Sequence, residues 1–298
     1  MKTIVCFSVL ALTILTIPIT ATAASLIFST GDVTSSIAMA SRPGISGKIE
    51  IEAADDFVLT SETIVRSGTF TGLLTGGATT NDIGEILLEI YQVFPAKSDV
   101  TRTSGPPTFS TPKVPTRVNS PSDDAFTTVD TLGALSVSTT VLTPDFAAAN
   151  SVLNGINPLP NQHTGGEGPV TGQEVRFTFT INGGLDLPAD HYFFVPQVQI
   201  ITSGGNFFWL SGTRPIVAPA GTPFTPDLQA WIRNANLDPD WLRVGTDIVG
   251  EGQTFNGAFS LVGDQVPEPS TLSLIALSIL SIGCVGLLKK FRSTKRAE

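Results

Sequence analysis

The chain has 298 residues, 17 Lys+Arg against 26 Asp+Glu, and a formal net charge of −9. That balance excludes nucleic acid as an expected partner, because phosphate contacts need clustered Lys and Arg. Two cysteines exclude a disulfide-dense scaffold and a multi-cysteine zinc module, and two histidines leave little for metal or acid–base chemistry.

The chain opens with Lys2, an apolar run from Ile4 to Ile19, and Ala21-Thr22-Ala23. A positive start, an apolar stretch and a small-x-small site make a secretory signal peptide over 1–23, cleaved after Ala23 with Ala21 and Ala23 as the recognition residues. A short membrane anchor is the competing reading, but no positive stop follows the run. Cys6 lies before most of the apolar run, where a lipid-modified cysteine would have to stand at the cleavage point.

Residues 24–266 read as one exported β domain. Lys48-Ile49-Glu50-Ile51-Glu52 and Glu174 to Ile181 alternate polar and apolar with period two, as half-buried strands do. Phe57–Leu59, Ile64–Leu74, Ile86–Phe94, Leu135–Leu142, Tyr192–Ile201, Phe207–Leu210 and Phe255–Val262 follow the same pattern less cleanly. Turn signals stand between them: Gly76-Gly77, Asn81-Asp82, Gly165-Gly166, Asn182-Gly183-Gly184 and Ser203 to Asn206. The proline-rich stretch from Gly105 to Pro121 reads as a loop within the domain, since strand patterns resume on both sides. The expected class is all-β, an antiparallel β-sandwich of jelly-roll type. Two short helices are expected, at 143–149 after Thr143-Pro144-Asp145 and at 226–235 after Thr225-Pro226-Asp227, where Leu228, Trp231 and Ile232 share one face.

Little in this domain spells chemistry. There is no G-x-S-x-G elbow, no H-E-x-x-H motif, no P-loop and no dinucleotide fingerprint. His163, in a Gly-rich loop, and His191, after Asp190, read as surface or satisfied core groups. Asp55-Asp56, Asp123-Asp124 and Asp238-Pro239-Asp240 are the carboxylate candidates. A glycosidase needs two facing carboxylates about 5–9.5 Å apart. Neighbours on a strand point to opposite faces, so Asp55 and Asp56 cannot form such a pair. Asp238 and Asp240 offer two oxygens toward structural calcium, which needs six to eight, and otherwise read as turn chemistry. Trp209 and Trp231 read as core. Trp241 is the least committed member of a possible sugar-stacking platform. No catalytic residue, no metal site and no other cofactor are expected.

The end of the chain carries the strongest signal. Val266-Pro267-Glu268-Pro269-Ser270 cannot continue a helix or a sheet ladder. Leu272 to Leu288 has no charge and, as a helix, would span roughly 26 Å. Lys289, Lys290, Arg292, Lys295 and Arg296 then form a basic stop that stays in the cytoplasm. Pro-Glu-Pro, an apolar span and a basic end, in this order and behind a signal peptide, resemble the PEP-CTERM sorting domain of Gram-negative bacteria. The resemblance covers 267–298. It implies that Pro267, Glu268 and Pro269 are recognised by exosortase, an integral-membrane cysteine protease or transpeptidase. It also implies that the tail is removed as the protein passes to the cell surface or polysaccharide matrix. The opening strand around Ala54-Asp55-Asp56-Phe57 and the closing strand at 255–262 resemble secreted PEP-CTERM β-sandwich proteins, which implies a fold and no reaction.

Loss of both ends removes Lys2 and the five basic tail residues but only Glu268 and Glu298, so 24–266 is more acidic than the whole chain. Both cysteines, Cys6 and Cys284, leave too. The expectation is a non-enzymatic surface or extracellular-matrix protein. Its precursor is anchored in the inner membrane with the domain in the periplasm. The alternative is a secreted module that binds or degrades exopolysaccharide.

Overall fold

The computed structural model describes residues 25–45, 47–103, 114, 116–156, 163–213, 229–250 and 253–266. The expected signal peptide, the Pro-Glu-Pro motif, the apolar span and the basic tail lie outside them. Among the described residues no helix is long and apolar enough to cross a membrane.

The described chain is predominantly β. In order the strands are β1 Ser25–Ser29, β2 Val33–Ala40, β3 Ile51–Leu59, β4 Thr63–Leu74, β5 Ile83–Gln92, β6 Thr127–Asp130, β7 Leu135–Ala148 and β8 Ser151–Val152. Then come β9 Val170–Leu187, β10 Asp190–Ile200, β11 Phe207–Gly212, β12 Trp231–Asn234, β13 Leu242–Arg243, β14 Asn256–Gly257 and β15 Phe259–Gln265. They build two sheets. The larger has nine strands, with β4 at its centre, bonded to β9 on one side and to β15 and β11 on the other. The smaller has the order β13-β12-β3-β10-β5-β6. Pairing is antiparallel except for β2 with β8.

Aromatic residues fill the space between the sheets. Phe28, Phe70, Phe177, Phe179, Phe207, Trp209 and Phe259 come from the larger sheet, and Phe57, Tyr192 and Phe194 from the smaller, all buried. Phe194 stacks on Phe179 at 5.8 Å and on Phe259 at 5.0 Å, and meets the Trp209 ring edge-on at 6.0 Å. Each such ring removes apolar surface worth about 1.5–3 kcal/mol from water. Glycine makes room for this layer. The backbone of Gly257 lies against the Trp209 ring, where a Cβ would fall 2.3 Å from a ring carbon.

Both helix expectations are corrected. Residues 143–148 continue β7, because Pro144 sits on an edge strand where no neighbour asks for its missing N–H. Of 226–235 the structure describes 229–235, where Trp231–Asn234 form β12, and Trp231 and Ile232 pack on opposite faces of the smaller sheet. A strand buried on both faces has adjacent apolar residues, which mimic one side of a helix. The described helical turns lie elsewhere: 3-10 turns at Thr80–Asp82 and Val100–Thr103, and a π turn at Val244–Val249. Asn182-Gly183-Gly184 is not a hairpin turn either. Gly183 and Gly184 adopt φ of 85° and 77° inside β9, where the register against β4 shifts between Val65 and Ser67. They form a bulge, and the strand runs on to Leu187.

Candidate functional site

The smaller sheet is covered on its outer face as well. Alternation along β10 sends Tyr192, Phe194 and Val198 inward and Phe193, Val195 and Gln197 outward, all buried. Outside, Phe193 and Val195 join Ala54, Tyr91, Trp231 and Trp241 in a second apolar cluster. Beside it lies a polar group from four neighbouring strands and the segment before β3: Glu50, Glu52, Glu89, Tyr91, Gln197 and Arg233.

Arg233 is the hub. Its guanidinium donates to Glu52, with Nη2 at 3.1 Å from Oε1, and to the Tyr91 hydroxyl at 2.9 Å. Nη1 reaches the carbonyls of Asp123 and Pro239 at 3.0 and 3.2 Å, and the Asp238 carboxylate at 2.9 Å. The same guanidinium lies over the Trp241 ring at 4.3 Å. Burial works against its charge, but the Glu52 carboxylate outweighs it and holds Arg233 more basic than usual.

The carboxyls around this hub are unequal. Tyr91 donates to Glu52 Oε1 at 2.6 Å, and Glu89 Oε2 lies 3.3 Å from the same hydroxyl. Gln197 Nε2 bridges Glu50 and Glu89, each at 3.2 Å, while Gln197 Oε1 has no hydrogen-bond partner among the described residues. Burial, then the Glu52 charge, push the Glu89 carboxyl up to about 8. Burial raises Glu50 too. The arrangement therefore favours the protonated form of Glu89 beside Glu52, within reach of one phenol. Both carboxyls contact one hydroxyl, so the pair is closer than the ~6.5–9.5 Å of an inverting glycosidase.

The residues singled out in the sequence separate clearly. Asp55 and Asp56 do point to opposite faces. Asp55 is buried between the sheets and accepts from the Gly257 N–H at 2.9 Å. Burial and the neighbouring Asp56 raise its carboxyl well above the usual range. Asp56 meets His191 Nε2 at 2.6 Å on the outer face. Asp123 and Asp240 come together through two arginines: Arg102 lies 2.7 Å from Asp123 and 3.3 Å from Asp240, and Arg117 contacts both. Asp238 pairs with Arg233 instead, so Asp238 and Asp240 answer different cations. Among the described residues no group of three or more His, Cys, Asp or Glu is arranged to hold a metal ion. His163 stands apart, with Nδ1 3.4 Å from the Asp247 carbonyl.

All three tryptophans are buried, so they form no exposed platform. Trp209 Nε1 donates to the Ala258 carbonyl at 3.0 Å and Trp241 Nε1 to the Ser122 carbonyl at 3.1 Å. Glu50, Glu52, Glu89, Tyr91 and Gln197 were not candidates from sequence. Their alternation was visible, but which of two alternating faces carries a lid is decided by chain that is distant in sequence.

No family model matches this chain, and neither the curated proteins nor the solved structures offer a match.

Proposed function

We propose that this is an exported surface or extracellular-matrix protein. Its jelly-roll-like body is delivered through the inner membrane and sorted by exosortase at Pro267-Glu268-Pro269, and the mature domain has a structural or binding role. The observation that carries this reading is where the two terminal strands lie. Ser25 in β1 pairs with Gly263 in β15, and the Val266 N–H is bonded to the Glu62 carbonyl at 2.8 Å. The strands next to both predicted processing points are thus neighbours in one sheet. Cuts after Ala23 and near Pro267 fall outside every strand pairing of the described fold, so processing at both ends leaves the sheets whole. Buried polar groups committed to one another and tryptophans committed to packing fit a durable extracellular body without disulfides.

Intact mass of the protein recovered from the native host, with membranes and medium measured separately, tests this. The expected mature species starts near Ala24 and ends near Pro267. A surface species that still ends at Glu298 overturns the sorting reading. Replacing Pro267, Glu268 and Pro269 together by Ala is expected to leave the tail attached and the protein in membranes.

One observation favours a second reading, a carbohydrate-active module working on exopolysaccharide: the Glu52 and Glu89 carboxyls face the same Tyr91 hydroxyl, at 2.6 and 3.3 Å. Release of reducing sugar that disappears in Glu89→Gln would support it. No release and no glycan binding by the wild-type protein would dispose of it.

A further inference from the structure

The larger sheet ends on β7, which bonds to β9 on one side and, among the described residues, to no other strand along 135–142. From Leu135 to Val141 the register against β9 is unbroken, and beyond it two shifts and Pro144 interrupt the ladder. Natural edge strands are guarded against pairing by charge, proline or bulges. Here the guards stand only in the second half. Residues 131–144 carry no charge at all, in an acidic chain.

The regular half has two distinct faces. Leu135, Val137, Thr139 and Val141 lie opposite Ile181, Phe179, Phe177 and Val175, so they share the core side of the sheet. Ser136, Ser138 and Thr140 lie opposite Thr180, Thr178 and Arg176 on the solvent side. Leu135 is buried, yet Thr139 is exposed and Val141 is 44% exposed, so the strand overhangs the smaller sheet. The segment is also self-complementary. Run antiparallel to itself about Ser138, it sets Leu135 against Val141, Val137 against Thr139, Ser136 against Thr140, and Ser138 against itself. Hydroxyl side chains meet on the solvent side and apolar or β-branched ones on the core side, and Val141 gains an apolar neighbour besides Val175.

We propose that two copies of this chain associate through β7, antiparallel about a two-fold axis at Ser138, joining their larger sheets into one. Such an isologous pairing satisfies free backbone groups on both edges at once. It brings two acidic molecules together along a stretch where neither carries charge.

The test is register-specific cross-linking of the full chain with Cys6→Ser and Cys284→Ser. Directly opposed residues in antiparallel strands have Cα atoms about 4.5–5.5 Å apart, within the range a disulfide bridges. Ser138→Cys is expected to give a covalent dimer on mild oxidation, and Ser136→Cys mixed with Thr140→Cys a heterodimer. Leu132→Cys, exposed but far from the axis, is expected to give none. Ser138→Lys should lower dimerisation by tenfold or more, read by sedimentation, with an unchanged melting temperature. Absence of a Ser138→Cys dimer, or equal cross-linking at Leu132→Cys, overturns the proposal. So does strong amide protection at 136–141 in the monomeric protein, which would mean that another part of the same chain covers the edge.

Discussion

Asp55 is buried between the two sheets, and its surroundings determine its form. It touches the Gly257 N–H through Oδ2, while Oδ1 meets no partner among the described residues. A buried acceptor bonded to one N–H works as well when the acid is neutral. Asp55→Asn is therefore expected to fold with a melting temperature equal to or above wild type at neutral pH. Asp55→Ala strands the Gly257 N–H and should cost about 1–3 kcal/mol in denaturant unfolding. Glu89 titrates across a measurable window. Its folded value is raised, so its protonated form favours the native state, and that contribution is present below the ordinary carboxylate range. It is lost as pH rises toward about 8. Glu89→Gln keeps the neutral form at every pH. Melting curves from pH 4 to 9 should show the variant close to wild type at the acid end and more stable than wild type at the alkaline end.

At the scale of elements, the smaller sheet differs from an ordinary sandwich face because both of its sides are buried. Arg233 on β12 ties β3, β5 and the 238–240 turn together. Removing it leaves Glu52 buried without its counter-ion. Arg233→Met is expected to cost about 3–5 kcal/mol in urea unfolding, more than an exposed substitution such as Thr178→Ala, which should change little. In the larger sheet, β14 approaches β11 so closely that Gly257→Ala must push the Trp209 ring, at about 1–3 kcal/mol of stability. A shift in Trp209 fluorescence would accompany it. Period two was cleanly legible in β9 because one face differed from the other in polarity, and less cleanly in β4, β5 and β10. The same logic failed at β12, where Trp231 and Ile232 are both buried, and at 143–148, where an N-cap-like Thr-Pro-Asp lies on a sheet edge. Local chemistry there is compatible with two structures, and pairing with β3 or β9 selects one.

For the whole molecule, the proposed processing and the proposed assembly involve different surfaces. The terminal strands β1 and β15 meet at one edge of the larger sheet, whereas β7 lies at the end of a separate branch through β9 and β4. Sorting at 267–269 and pairing through β7 can therefore be tested independently. A tail-retaining mutant should cross-link at Ser138→Cys as efficiently as the parent. By itself the sequence determined the β class, the absence of the common catalytic motifs, and the opposite facing of Asp55 and Asp56. Those features depend on periodicity, spacing and composition, which are local. The tertiary structure alone decided that Glu52, Glu89, Tyr91, Gln197 and Arg233 share one buried surface. It also decided that Asp238 and Asp240 serve different arginines, and that all three tryptophans are packed. Each of those outcomes depends on strands far apart in the chain coming into register, and on a loop covering one face of a sheet. Burial assigns the energetic weight of a polar side chain, and burial is a property of the assembled molecule.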